Sequence, residues 1–317
     1  MEVIMKFRKI IVISIISALF ISIFSFPVFA INQIEMSGMS EVIHKTTFVS
    51  EAQKKHMATV TLGMGVPPTV TEIDTIIQFY SFAQTAKEKQ SAETAMDAMG
   101  LFVYYDNNVT PLDSQAVTPA SIWYPDSNNT DVCLNNPIIV YNSWTDTWIV
   151  SVSGYWLNDA YMPYIITKGS VGNPEAFGFG FTNIRNTYES SVIRSNATIW
   201  DQYREKSVTT TNRADGNGAL GCGFRLQDEI VILPEHIDNL YIGAYWYASC
   251  TYDSNFATYS AVVTAYYTHT YDSMTIDSIE FGVQGKEAGV NITFSKGEDD
   301  GFTTYSSGDA ITPGYTS

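Results

Sequence analysis

From residue 101 to the end of the chain, apolar residues recur at every second position within short runs that turn-forming residues separate. In the run 290–295, for example, Val, Ile and Phe alternate with Asn, Thr and Ser. Because successive side chains of a strand point to opposite faces, such a run buries one face and wets the other. Many such runs with Gly, Asn and Asp between them predict a mainly β fold. We expect an antiparallel β-sandwich, or a barrel-like variant of one, over residues 101–317.

A short region before these strands has helical rather than strand periodicity. Thr69 and Glu72 have the spacing of a capping box, which supplies hydrogen-bond partners to the first amides of a helix. Apolar residues then recur at helical spacing and predict a first helix that ends near Lys87. A second, shorter helix is expected before Gly100, because glycine commonly ends a helix. Residues 69–100 are therefore predicted to be a helical region that packs on the sandwich.

The first thirty residues have the composition of an export signal. Three cations within residues 6–9 precede an apolar run over residues 10–24, and Ala30 ends a Val-Phe-Ala sequence. This order is typical of a cleavable secretory signal peptide, whereas an uncleaved membrane anchor needs about 20 apolar residues. We predict cleavage after Ala30, secretion by a bacterium and a mature chain without a transmembrane segment. Residues 31–68 show little regular period and are predicted to be an irregular segment.

The net charge restricts the partners of the chain. Its 317 residues include 17 Lys and Arg against 33 Asp and Glu, which gives a formal charge of −16. Binding to nucleic acid requires clustered cations that displace counterions from phosphate, and attraction to an anionic membrane surface requires cations too. The acidic chain is therefore not expected to bind nucleic acid. A hydrophobic share of 45% argues against intrinsic disorder.

Four tyrosines are the candidate ligand-binding residues. If the apolar residues at positions 240, 242, 244 and 246 point into the core, alternation places Tyr241, Tyr245 and Tyr247 on the opposite face of the strand. Tyr266 lies on the hydroxyl-bearing face of the next strand. Exposed aromatic rings beside hydroxyl groups suit sugar rings. The sequence thus predicts a secreted binding protein for an extracellular glycan or cell-surface polymer, although tyrosines that only stabilise a sheet buried on both faces remain an alternative.

Two other functional classes stay open. A secreted hydrolase would use two carboxylates, as glycosidases do, and acidic side chains of the strand region supply candidates. The motifs G-x-S-x-G and H-E-x-x-H are absent from the sequence, so binding is favoured over catalysis. A pore-forming protein would use a β-hairpin, and residues 259–277 are long, alternating and rich in Ser and Thr. The carboxylate candidates are Asp201, Asp228, Glu229, Glu235 and Asp277.

Oxygen-rich turns are the candidates for metal binding. Asp215 and Asn217 lie in one such turn, and Asp299 and Asp300 lie in another between two glycines. Calcium takes six to eight oxygen ligands, and neither turn supplies a full set. The same residues are those that ordinary turns require, so calcium binding and a plain turn both remain open. No other cofactor is predicted.

The cysteine count is odd for a secreted protein. Cys133, Cys222 and Cys250 allow one disulfide with one thiol left over. Cys222 and Cys250 lie in the same strand-rich stretch, so we predict a disulfide between them. Three separate buried thiols are the alternative.

Two shorter sequence features predict how particular side chains pack in the core. Residues 177–181 alternate three Phe with two Gly, and glycine in a strand lets another group approach the backbone closely. We expect an aromatic ring to lie over these glycines. His269 falls on the apolar face near the end of its strand, where we expect a hydrogen-bonded core histidine.

Overall fold

The structure is a computed structural model that describes residues 66–104, 131–157, 169–186, 191–213, 218–232, 240–270, 275–281, 290–294, 302–306 and 309–315. The predicted signal peptide and residues 31–65 lie outside these ranges. So do Glu235 and the four predicted calcium ligands, Asp215, Asn217, Asp299 and Asp300. Within the described ranges, no helix has the length and apolar composition that crossing a membrane requires.

Two helices precede the strands, α1 (Val70–Ser81) and α2 (Ala86–Ala98). The predicted capping box is confirmed, because the Thr69 amide donates a 2.7 Å hydrogen bond to Glu72 and the Glu72 amide donates to the Thr69 hydroxyl. The prediction that the first helix reaches Lys87 is wrong. A second capping box, formed by Thr85 and Glu88, starts a new helix after a break that follows Ser81.

The described residues form seventeen strands, and several of them are short. The sequence pattern does not predict the strands Ser207–Thr210, Gly221–Leu226 and Phe302–Tyr305, because short runs rich in Thr and Gly have little apolar alternation. In chain order the strands are β1 (Leu101–Val103), β2 (Val132–Leu134), β3 (Ile138–Asn142), β4 (Thr147–Trp156), β5 (Gly169–Ser170), β6 (Glu175–Thr182), β7 (Val192–Trp200), β8 (Ser207–Thr210), β9 (Gly221–Leu226), β10 (Glu229–Val231), β11 (Leu240–Ile242), β12 (Tyr245–Tyr252), β13 (Val262–His269), β14 (Ile276–Phe281), β15 (Val290–Phe294), β16 (Phe302–Tyr305) and β17 (Ala310–Ile311).

Most strands belong to two antiparallel sheets. The first sheet has the order β1-β3-β4-β12-β7-β8, with β2 also paired to β4. The second sheet has the order β16-β13-β6-β9, with β17 also paired to β13. Strands β5, β10 and β11 form a small third sheet, and β14 pairs with β15 in a separate hairpin. The predicted mainly β fold is confirmed, and its sheets pack in a sandwich-like arrangement without closing into a barrel.

The core lies between the inner faces of the first and second sheets. Trp246 of β12 stacks on Tyr267 of β13, with ring centroids 4.1 Å apart and planes inclined by 18°. At the other end of β12, the ring of Tyr252 contacts that of Phe181 on β6 at 6.2 Å. Buried aromatic rings of this size remove large apolar areas from water. Aromatic contacts therefore join the two sheets along the length of β12.

The two helices cover the middle of the outer face of the first sheet. Arg194 of β7 donates two hydrogen bonds of 2.7 Å to the carboxylate of Asp74 on α1. This bidentate pair fixes the helix against the sheet more specifically than apolar packing alone. The apolar cluster between helices and sheet contains Ile73, Ile77, Tyr80, Ala92, Met96, Leu101, Val140, Ile149 and Tyr247.

The hairpin of β14 and β15 covers part of the outer face of the second sheet. Its apolar side chains pack against Tyr266 of β13, and Arg225 of β9 donates a 2.9 Å hydrogen bond to the Ile276 carbonyl. An added Cβ at Gly178 would lie 2.0 Å from the carbonyl oxygen of Cys222 and 3.0 Å from the hydroxyl oxygen of Tyr266. The Tyr266 side chain therefore reaches Gly178, but the backbone of β9 lies closer to this glycine, and an aromatic ring over Gly180 stays a prediction.

Candidate functional site

Three aromatic side chains lie in register across the outer face of the first sheet. Tyr155 of β4 and Trp200 of β7 are both direct partners of Tyr245 on β12, which runs between them. The rings of Tyr155 and Tyr245 stack with centroids 5.7 Å apart and planes inclined by 27°. All three side chains are half-buried, so each keeps part of its surface in contact with solvent. Because neighbouring strands lie about 4.8 Å apart, the row extends roughly 10 Å across the sheet.

The row keeps this surface because it lies beyond the end of α1. That helix ends at Ser81, and Phe82 follows at its C-cap. The Phe82 ring meets Tyr245 edge-on at 5.8 Å and Trp200 edge-on at 6.0 Å. Edge-to-face contacts are a preferred geometry of aromatic pairs. Phe82 therefore helps to fix the orientation of two of the three rings.

A tight turn between β7 and β8 brings one cation to the row. The buried carboxylate of Asp201 accepts hydrogen bonds from the backbone amides of Tyr203, at 2.6 Å, and Lys206. Arg204 takes a left-handed backbone conformation in this turn, with φ at 60°. Its guanidinium carbon lies 4.3 Å from the ring centroid of Tyr245 and 4.5 Å from that of Phe82. Desolvation between the rings lowers the pKa of Arg204, while the nearby Tyr245 phenol opposes this change.

Tyr155 has a further neighbour in Cys133 of β2, which is its direct strand partner. Burial, and then the hydrogen bond and charge interaction with Cys133, raise the pKa of Tyr155 to about 12. Its phenol therefore stays neutral at physiological pH and can donate a hydrogen bond. We name the surface formed by these rings and the guanidinium the aromatic patch, which consists of Phe82, Tyr155, Trp200, Arg204 and Tyr245.

Of the four tyrosines that the sequence proposes as ligand-binding residues, Tyr245 belongs to the aromatic patch. Tyr247 shares its face, as alternation predicts, but is 0% exposed because α1 and α2 cover it. Tyr266 is 1% exposed because the hairpin of β14 and β15 covers it. The exposure predicted for Tyr247 and Tyr266 is therefore wrong, and covering elements that are remote in sequence are the reason.

Tyr241 is buried for a different reason. The strand predicted over residues 240–247 is two strands, because β11 belongs to the small sheet and β12 to the first sheet. Gly243 lies between them with φ at 145°, a conformation that favours glycine. This break directs Tyr241 into the core, where its hydroxyl donates a 2.6 Å hydrogen bond to Asp228. The predicted exposure of Tyr241 is therefore wrong.

The sequence pattern does not select Phe82, Trp200 or Arg204 for the site. Alternation in β4 does place Tyr155 on the face opposite to Trp148 and Trp156, which is a usable signal for one residue. The other three reach the patch through the end of α1, the pairing of β7 with β12 and the turn after β7. None of these arrangements has a local sequence signature.

A buried acidic cluster lies on the inner side of the same end of the sandwich. Trp156 follows Tyr155 but points inward, and its ring meets His269 edge-on at 5.1 Å. His269 Nδ1 lies 2.7 Å from Glu175 Oε1, and both side chains are buried. The prediction that His269 is a hydrogen-bonded core histidine is therefore confirmed.

Asp228 completes this cluster. It is 0% exposed and accepts hydrogen bonds from the Tyr241 hydroxyl at 2.6 Å and from Gln227 Nε2 at 3.2 Å. Burial, and then the negative charge of Glu175, raise its pKa well above the ordinary range, although these hydrogen bonds oppose the change. A glycosidase needs two carboxylates that reach its substrate, whereas Asp228 and Glu175 are enclosed. The geometry therefore favours a structural role for this pair.

Replacing Asp228 by asparagine should remove a pH-dependent loss of stability. Because the folded pKa is raised, the stabilising contribution of protonated Asp228 is complete below about pH 4 and is lost as pH rises through the folded pKa. Asparagine does not ionise and still accepts a hydrogen bond from Tyr241. As pH rises from 4 to 8, the free energy of unfolding of Asp228→Asn should therefore rise relative to that of wild type. The gain is about 1.4 kcal/mol for each tenfold difference between the proton affinities of Asp228 in the folded and unfolded states.

Urea unfolding at several pH values between 4 and 8 tests this expectation. Asp277→Asn is the matched control, because it makes the same substitution at an exposed position. Parallel stability curves for wild type and Asp228→Asn would show that Asp228 does not bind its proton more tightly in the folded state.

Metal binding has no support among the residues that the structure describes. No group of three or more His, Cys, Asp or Glu side chains within them has a geometry that could hold an ion. The calcium ligands proposed from the sequence lie outside the described ranges, so calcium binding there stays a prediction.

The structure has Cys133, Cys222 and Cys250 as free thiols. The disulfide predicted between Cys222 and Cys250 is thus not formed in it. Both residues are nevertheless fully buried in the same apolar cluster, one from each sheet.

Comparisons of the chain with protein-family models, with curated proteins and with solved structures find no match. The case for a function therefore depends on the geometry of the aromatic patch.

Proposed function

We propose that the protein is a secreted binding protein that holds an extracellular glycan on the aromatic patch. The observation that supports this most strongly is the register of Tyr155, Tyr245 and Trp200 on three neighbouring strands, with their rings half-buried at one surface. Flat rings stack on the C–H faces of sugars. Phenolic hydroxyls and the guanidinium of Arg204 donate hydrogen bonds to sugar hydroxyls at the ring edges.

The charge of the protein favours an uncharged glycan. A formal charge of −16 repels polyanions over distances comparable to the screening length. The single cation of the patch, Arg204, is held against the rings of Phe82 and Tyr245. We therefore propose a neutral polysaccharide rather than an acidic one. The signal peptide predicted over residues 1–30 supports an extracellular location for this encounter.

Removing a ring of the row should weaken glycan binding. The experiment titrates uncharged β-glucans, xylan and mannan and follows tryptophan fluorescence, in which Trp200 reports from the patch itself. We expect Tyr155→Ala and Tyr245→Ala each to raise the Kd of a bound polysaccharide at least tenfold, which corresponds to about 1.4 kcal/mol.

Protein recovered from the culture medium should begin at Ile31.

Tyr315→Ala is the matched control for these variants. The Tyr315 ring also lies under a guanidinium, that of Arg185 at 4.1 Å, but the neighbouring Gly314 amide bonds to the carbonyl of Tyr259, outside the aromatic patch. Its loss should leave the affinity unchanged. Wild-type protein that binds none of these polysaccharides would contradict the proposal, and so would a Tyr245→Ala variant with wild-type affinity.

The geometry gives less support to the pore-forming alternative. Residues 262–269 form β13, which pairs with β6 along one edge and with β16 and β17 along the other. Moving this strand into a membrane would break hydrogen-bond ladders on both sides. We therefore do not propose it as a membrane-inserting segment.

A further inference from the structure

Cys222 and Cys250 face each other across the sandwich core. Cys222 lies on β9 of the second sheet and Cys250 on β12 of the first, and both are fully buried. The two thiol side chains are hydrogen-bonded to each other across the core, and their burial raises the pKa of Cys250. The two side chains are therefore direct neighbours.

Surrounding contacts hold the two strands in this arrangement. Two residues after Cys250, the Tyr252 hydroxyl donates a 3.1 Å hydrogen bond to the carbonyl of Gly218, four residues before Cys222. The Tyr252 ring also contacts Phe181 of β6, the strand that pairs with β9. Both cysteines therefore lie within regular strands whose relative position is fixed by these neighbouring contacts.

We propose that Cys222 and Cys250 form a disulfide that joins the two sheets once the chain reaches an oxidising compartment. The step is a dithiol–disulfide exchange, with a protein or small-molecule disulfide as the oxidant. One cysteine thiolate attacks the oxidant, forms a mixed disulfide and releases one thiol. The second cysteine thiolate then attacks the mixed disulfide and releases the other thiol. Two protein thiols are oxidised to one disulfide, and the oxidant is reduced to two thiols that take up the two protons.

The burial of both sulfurs determines when this exchange takes place. Neither thiol is accessible to an oxidant in the folded protein, so the bond forms while the sheets are still open. Once formed, it restricts the unfolded chain and raises the melting temperature. Cys133 is half-buried and pairs with Tyr155 of β4. Tyr155 lies five residues along β4 from Val150, which is the strand partner of Cys250. It is expected to remain a thiol.

Thiol mapping of wild-type protein tests the proposal. The full-length chain is reduced, unfolded, refolded in a buffer of reduced and oxidised glutathione, alkylated after unfolding and analysed by peptide mass spectrometry. We expect the peptides that contain Cys222 and Cys250 to be linked and Cys133 to be alkylated. Alkylation of all three cysteines, or a link that involves Cys133, would overturn the proposal.

Thermal unfolding supplies a second measurement. Reduction should lower the melting temperature of refolded wild type by about 5–15 °C, the shift expected when a cross-link of this loop length is lost. Cys133→Ala is the matched control and should keep this response to reductant, whereas Cys222→Ala and Cys250→Ala should both lose it. A wild-type melting temperature that reduction leaves unchanged would contradict the proposal.

Discussion

Replacing Trp246 by alanine should lower the free energy of unfolding by about 3–5 kcal/mol, as truncation of a large buried aromatic does. Its side chain is 1% exposed and stacks on Tyr267 of the opposite sheet at 4.1 Å. The substitution would open a cavity at the junction of the two sheets, which strands on both sides prevent from closing. Urea or guanidinium unfolding, monitored by circular dichroism, measures the change.

The half-buried tyrosines are the controls for this prediction. Tyr155→Ala and Tyr245→Ala should each cost about 1–2 kcal/mol, because their rings already keep part of their area in water. The face of β12 that holds Trp246 and the face that holds Tyr245 should therefore differ clearly in one denaturation series. If Tyr245→Ala were as destabilising as Trp246→Ala, the row would be part of the core, and the proposed glycan site would lose its surface.

Replacing Gly154 by alanine should cost about 3 kcal/mol or more. An added Cβ would lie 2.2 Å from the ring of Trp246 and 2.6 Å from the backbone carbonyl oxygen of Cys133. Both distances are well below van der Waals contact, so the tryptophan ring or the β2 strand must move. Overpacking of a closed core typically costs 1–3 kcal/mol, and a clash with backbone raises that cost. Thermal and urea unfolding both report this change.

A double-mutant cycle identifies the source of the cost. If the Trp246 ring is the main obstacle, Gly154→Ala should be at least 1 kcal/mol less destabilising in the Trp246→Ala background than in wild type. Ser153→Ala is the neighbouring control and removes one 2.9 Å hydrogen bond from Asn135, worth about 1 kcal/mol. Additive effects of Gly154→Ala and Trp246→Ala would show that the Trp246 ring is not the source of the cost.

Local sequence patterns predict the features that depend on neighbouring residues alone. The Thr69 capping box and the opposite faces of Trp246 and Tyr247 both agree with the structure. The same reasoning fails where a local pattern is interrupted. Gly243 divides one predicted strand into two, and the strand rich in glycine at Gly221–Leu226 carries too little alternation to be recognised.

By itself, the sequence determines the strand periods, which side chains share a face within an unbroken strand, the helix start at Thr69 and the acidic charge. Tertiary structure decides which of those faces is covered. Tyr245 and Tyr247 have the same alternation and the same residue type, yet helices that begin more than 150 residues earlier bury Tyr247 and leave Tyr245 half-exposed. The row of Tyr155, Tyr245 and Trp200 likewise exists because distant strands pair in one register. Alternation is a property of adjacent peptide units, whereas burial and strand pairing depend on contacts between segments that only folding brings together.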